Sequence, residues 1–133
     1  MKIICKAVLL GACAFGCLTV ATAAANRVRA GQWETTLTIA GRGVSRSTCL
    51  SQADADAING DAQSIKAYAE RVSTPAACKV TDVKIVGDQV VVTSVCAEGK
   101  QNVGTTTYHG DTFETVNTNG AKSQSKWIGA CKQ

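Results

Sequence analysis

A chain of 133 residues with a formal net charge of +4 and 18% charged residues holds one domain and hardly more. Its basic residues are scattered, with no patch interleaved with aromatics, so nucleic-acid binding has no support.

The chain opens with Lys2 and Lys6, an apolar run from Ala7 to Val20, and the small residues Ala21 to Ala25. These are the charged, apolar and small-residue parts of a secretory signal peptide, with cleavage expected before Asn26. A transmembrane anchor needs about 20 consecutive apolar residues; this run is shorter and contains Gly11 and Gly16. Leu10-Gly11-Ala12-Cys13 resembles a lipobox, but it comes early and leaves little apolar core before it, so the lipoprotein reading is the weaker. The expected organisation is a signal peptide over residues 1–25 and a single disulfide-bonded, β-rich domain over 26–133. That domain would be periplasmic or secreted, with no transmembrane span after cleavage. Without Lys2 and Lys6, 12 basic residues face 10 acidic ones.

Cleavage also removes Cys5, Cys13 and Cys17, leaving Cys49, Cys78, Cys96 and Cys131. An even number in an exported domain reads as two disulfides. Structural zinc favours closely spaced pairs, and these cysteines are 29, 18 and 35 positions apart with a single histidine in the chain. No metal and no cofactor is therefore expected.

Gly31 to Ile39 alternates, with Trp33, Thr35, Leu37 and Ile39 on one face and Glu34, Thr36 and Thr38 on the other, which predicts a half-buried strand. Residues 40–43 turn, and Val44 to Cys49 returns as a second strand. Ser51 to Val72 is rich in Ala, Asp, Gln and Lys, which are poor strand formers. Ser51 with Asp54 predicts a helix start. Asn59-Gly60 interrupts it, and Asp61 caps a second helical stretch whose Ile65, Tyr68, Ala69 and Val72 would face the sheet. Pro75 marks the exit. Lys79–Val86 and Gln89–Cys96 flank Gly87-Asp88, Asn102–His109 and Thr112–Thr118 flank Gly110-Asp111, and Ala121–Ile128 follows Asn119-Gly120. All three dipeptides suit tight hairpin turns. The fold class expected is mainly β with a short helical insert (α+β). It is an antiparallel meander of about seven strands, in a curved sheet or partial barrel with two disulfides.

A two-residue loop at Gly87-Asp88 pairs Ile85 with Val90 and Val83 with Val92, gathering four branched apolar residues on one face. In that register Cys96 shares this face and Cys78 points away, which makes a direct Cys78–Cys96 bond awkward. Of the three pairings open, the preferred one joins Cys49 to Cys78, closing the helical insert, and Cys96 to Cys131, holding the C-terminus. Across Asn119-Gly120, Phe113, Thr115 and Asn117 are expected opposite Lys126, Gln124 and Lys122. Neither face is then continuously apolar, which disfavours a large greasy groove.

His109 lies beside the Gly110-Asp111 turn without a G-x-S-x-G motif, and reads as an exposed strand-end histidine. Asp54, Asp56 and Asp61 cluster near helix starts, where capping and the helix dipole explain them. They lack the glycine and terminal glutamate of a calcium loop. Glu34 and Glu114 sit on separate strands, and nothing in the sequence pairs them. Thr105-Thr106-Thr107 reads as the solvent side of a sheet, Trp33 and Trp127 as core anchors, and Tyr108 with Phe113 as a cross-hairpin pair. No catalytic, cofactor-binding or metal-ligating residue is assigned; the site residues are the disulfide cysteines Cys49, Cys78, Cys96 and Cys131.

One set of motifs runs through the chain in order: Gly31-Gln32-Trp33-Glu34, Cys49-Leu50-Ser51 before a short helix, Cys78-Lys79-Val80-Thr81-Asp82, Val95-Cys96, Tyr108-His109-Gly110-Asp111-Thr112-Phe113 and Gly129-Ala130-Cys131-Lys132. Together with the signal peptide, this order resembles the bacterial exported family called domain of unknown function 3617. Members usually carry methionine- and proline-rich stretches near the second strand; this chain has Gly41-Arg42-Gly43 there and no methionine after Met1. The resemblance implies an exported β-rich domain and no activity. The leading functional reading is a non-enzymatic periplasmic binding or envelope-interaction module whose ligand and partner the sequence does not name. The second is a secreted inhibitor that plugs a hydrolase with the loop Ala97-Glu98-Gly99-Lys100-Gln101. A hydrolase using Glu34, Glu114 or His109 ranks last.

Overall fold

The computed structural model describes residues 25–73 and 77–132. The expected signal peptide, apart from Ala25, and the Pro75 exit lie outside the described residues. Seven strands make one antiparallel sheet: β1 (Gly31–Ile39), β2 (Arg42–Leu50), β3 (Lys79–Val86), β4 (Gln89–Val95), β5 (Gln101–Tyr108), β6 (Thr112–Asn117) and β7 (Lys122–Gly129). Their order is β2-β1-β7-β6-β5-β4-β3, so the sheet stays open, with β2 and β3 as its edges. Two helices, α1 (Gln52–Asn59) and α2 (Ala62–Ser73), lead from the edge strand β2 towards the edge strand β3.

The helices start where capping chemistry allows. The Ser51 hydroxyl accepts the Asp54 N–H at 3.1 Å, and the Asp61 carboxylate accepts the Ser64 N–H at 2.8 Å. Between them Arg27 is buried, and its guanidinium donates to the carbonyls of Ile58 and Gly60 at 2.9 and 3.0 Å. A cation there also meets the negative end of the α1 dipole. The Asn59 amide clamps the same segment: its oxygen accepts the N–H groups of Arg27 and Val28, and its nitrogen donates to the Val28 carbonyl.

That clamp places Val28 in the core with Trp33, Ala55 and Ile58, ringed by Leu50, Tyr68, Tyr108, Phe113 and Trp127. Strand register explains the gathering. Trp33 pairs with Thr48 and Trp127, and Phe113 pairs with Tyr108 and Ser125, so all four aromatics share the helix side of the sheet. Ring centroids lie 5.1 Å apart for Trp33–Phe113 and 5.6 Å for Tyr108–Phe113, in tilted contact. The two indole N–H groups donate to the carbonyls of Arg29 and Ala30.

The disulfides join Cys49 to Cys131 and Cys78 to Cys96, not Cys49 to Cys78 and Cys96 to Cys131. The hairpin register itself is the expected one, with Ile85 opposite Val90 and Val83 opposite Val92. A β-bulge between Val80 and Asp82 then inserts one residue, sets Lys79 opposite Val95, and carries Cys78 to the side of Cys96. Cys49 reaches Cys131 because only β1 lies between β2 and β7; Gln32 pairs with both Cys49 and Gly129.

The β6–β7 hairpin also departs from expectation by one residue. Phe113 faces Ser125 and Thr115 faces Ser123, in place of Lys126 and Gln124. The Asn117 N–H donates to the Ala121 carbonyl, and Gly120 at φ +88° completes a three-residue loop where two residues were expected. The slip swaps every side chain of β7 between faces, and it puts Trp127 beside the core. Two apolar assignments change as well. Val72 is 53% exposed rather than facing the sheet, and β1 is buried at Trp33 while Leu37 and Ile39 are exposed.

Candidate functional site

On the face away from the helices, alternate side chains of β1, β7 and β6 surround an open depression of about 440 Å³. Register lines up Glu34, Lys126 and Thr112 in one row, and Thr36, Gln124 and Glu114 in the next, with His109 at the rim. The fold thus brings Glu34, Glu114 and His109 together from three separate stretches of sequence. Lys126 Nζ lies 3.1 Å from Glu34 Oε1, and His109 Nε2 lies 4.0 Å from Glu114 Oε1. The latter distance is beyond hydrogen-bond reach for a base and the group that orients it. Lys126 and Gln124 on β7 stand between the two carboxylates, and Glu34, Lys126, His109 and Glu114 are 42–62% exposed. Such exposed pairs are worth little individually. They can grip a polar group, and the depression they line is open to water.

Where groups are perturbed, the cause lies in packing and capping. Burial pushes the Tyr108 hydroxyl up to about 12, and also raises Tyr68. The Arg71 guanidinium and the Ser51 hydroxyl hold the Asp54 carboxyl below its ordinary value. An apolar cavity of about 190 Å³ sits between helices and sheet, lined by Val28, Trp33, Ile58, Tyr68, Tyr108 and Phe113 among others.

The helix side of the sheet is buried at the aromatic core and again where α2 packs along β3, with Val80 and Val90 buried there. On the same side, hydroxyls pair across strands: Thr35 bonds the buried Ser125 at 2.7 Å and Thr106 bonds Thr115 at 2.9 Å. Thr106 therefore lies on the helix side, and Thr105 and Thr107 on the other. The β1–β2 hairpin then carries Leu37 opposite Val44, Ile39 opposite Arg42 and Thr35 opposite Arg46. Leu37, Ile39 and Val44 are 38%, 55% and 66% exposed. Residues from Arg42 to Cys49 are all exposed, and Arg42 and Arg46 have no ion-pair partner among the described residues. Alternation alone could not reveal this surface, because it marks Leu37 and Ile39 as inward without saying how far the helices reach. The loop after β4 is a tight turn over Ala97–Gly99 with Glu98 at φ +66°. It is anchored at its base by Cys78–Cys96, and Lys100 and Glu98 pair at 3.6 Å on its exposed surface.

The family profile described as protein of unknown function (DUF3617) matches residues 28–131. The chain belongs to the DUF3617 family. The match runs from the buried Val28 to Cys131, so it takes in both disulfides and the whole sheet of this DUF3617 domain. Comparison with curated proteins and with solved structures gave no match. Among the described residues of the DUF3617 chain, no helix is long and apolar enough to cross a membrane. No group of three or more His, Cys, Asp or Glu among them is placed to hold a metal ion. Two disulfides suit an oxidising, extracytoplasmic compartment.

Proposed function

We propose that this DUF3617 domain is an exported, non-enzymatic binding module that engages a component of the cell envelope through its β1–β2 hairpin. The observation that carries this reading is the exposure of Leu37, Ile39 and Val44 together on one face of the β1–β2 hairpin, whose outer strand β2 is a free edge, with Arg42 and Arg46 beside them. Scattered apolar residues are normal on a surface, whereas a contiguous apolar group rimmed by charge marks an interaction site. The Cys49–Cys131 bridge and the pairing of β1 with β7 hold the hairpin in place, so little order has to be gained on binding.

A second reading, inhibition of a hydrolase, draws on the exposed, disulfide-anchored turn at Ala97–Gln101. Catalysis by Glu34, Glu114 or His109 ranks below both, given the 4.0 Å gap and the exposure of all three groups. An amide chemical-shift titration of the oxidised domain with soluble envelope extract separates the three. Perturbations concentrated on Leu37–Arg46 are expected. Perturbations centred on His109, Glu114 and Lys126, on Ala97–Gln101, or nowhere would contradict the reading.

A further inference from the structure

The two edges of the sheet are built differently. β3 carries Lys79, Asp82 and Lys84, is broken by the bulge between Val80 and Asp82, and lies against α2. Charges, bulges and covering elements of this kind keep an edge from recruiting another strand. β2 runs for nine residues in unbroken register with β1 and contains neither an acidic residue nor a proline. Its two-residue turn, with Ala40 at φ +48° and Gly41 at φ +78°, makes Ile39 and Arg42 a hydrogen-bonded pair. The ladder alternates from there, so the N–H and C=O groups of Gly43, Ser45 and Ser47 point outward along the free edge. The side chains of Arg42, Val44 and Arg46 stand on the helix side of the sheet, beside Ile39 and Leu37.

We propose that β2 is the docking edge of the domain, and that its occupant is an extended acidic segment of another protein, added antiparallel as an eighth strand. The proposal rests on the hairpin being the binding surface. The outward groups of Gly43, Ser45 and Ser47 supply main-chain bonds, as in other strand-addition complexes. Residues opposite Arg42, Val44 and Arg46 form non-hydrogen-bonded pairs, whose side chains approach most closely. An occupant complementary to Arg–Val–Arg carries acid, aliphatic and acid at alternate positions. A second copy of β2 is the poorer occupant. Antiparallel and centred on Val44, it sets each Arg42 opposite an Arg46, where like charges destabilise a ladder, and centred on Ser45 it leaves both arginines without an acidic partner.

The test is a fluorescence-anisotropy titration of the oxidised domain with a capped, labelled peptide, Thr-Glu-Thr-Val-Thr-Glu-Thr. Saturable binding is expected. It should weaken about tenfold or more in the Arg42→Glu, Arg46→Glu variant, since two cross-strand pairs turn repulsive. A peptide with lysine for glutamate should bind at least as weakly, and so should one N-methylated on the backbone nitrogens that face β2. Equal binding of the lysine or N-methylated peptide would overturn the proposal. So would binding to phosphatidylglycerol vesicles but not to the peptide, or a β2-dependent dimer in sedimentation. If the acidic peptide fails while envelope extract still perturbs Leu37–Arg46, the acidic-strand proposal falls and the binding reading stands. If both fail, both fall.

Discussion

Arg27 is the side chain on which the N-terminal segment depends. It is 8% exposed, and it satisfies the carbonyls of Ile58 and Gly60 at the end of α1. Removing it leaves buried acceptors unpaired, which costs about 1–3 kcal/mol. Arg27→Ala should therefore lower stability by about 2 kcal/mol in urea unfolding, and an unchanged midpoint would contradict this role. Asp54 contributes to the acid limb. Arg71, and then Ser51, lower its pKa from the ordinary 3.8. A carboxyl with a lowered folded-state pKa stabilises the fold at neutral pH. The contribution fades as pH falls past 3.8 and is gone below the folded-state value. Asp54→Asn should make acid unfolding shallower across that window. The tyrosines act at the other extreme. Tyr108 is raised to about 12 and Tyr68 is raised too, and they are the only tyrosines in the chain. Stability is fully present below the unfolded-state value of 10 and is lost as pH rises through 12. A phenolate absorbance titration should show less than half ionisation at pH 10 in the native domain.

The elements show what local sequence controls and what it leaves open. The bounds of the first strand and the register of the first hairpin after the helices follow alternation and turn chemistry, although Leu37 and Ile39 are exposed, and the helix starts follow Ser51 and Asp61. The bulge at Thr81 has no comparable signal: it adds one residue and flips the strand end, which is enough to change a disulfide partner. The Asn119-Gly120 turn likewise reads as two residues and forms as three, because Thr118 joins it. The depression that unites Glu34, Glu114 and His109 depends on β1 pairing with β7, a long-range choice that no short motif encodes. The bridges give the element-scale prediction. In the chain-entropy account a longer closed loop stabilises more, about 3 kcal/mol for Cys78–Cys96 and about 4.5 kcal/mol for Cys49–Cys131. Their sequence separations are 18 and 82. Cys49→Ser with Cys131→Ser should thus be the more damaging pair in thermal unfolding, and non-reducing peptide mapping should recover a Cys78–Cys96 linked peptide.

At the scale of the whole molecule, two short helices pack on one face of an open sheet, at the aromatic core and along β3, and the sheet's edges are left unequal. Cleavage before Asn26, as the export reading expects, keeps Arg27 and with it the N-terminal clamp. N-terminal sequencing of exported material should begin at Ala24 or Asn26; a chain retaining Met1, or starting at an acylated Cys13, would sink the export reading. Binding through the β1–β2 hairpin is the claim on which the functional account stands, and photo-cross-linking in whole cells tests it most directly. A photoreactive residue at position 44 should yield one discrete adduct with another envelope protein. That adduct should disappear in the Arg42→Glu, Arg46→Glu background and be absent when the probe sits at position 114. Adducts from position 114 but not from 44, or only a homodimer-sized band from 44, would contradict it.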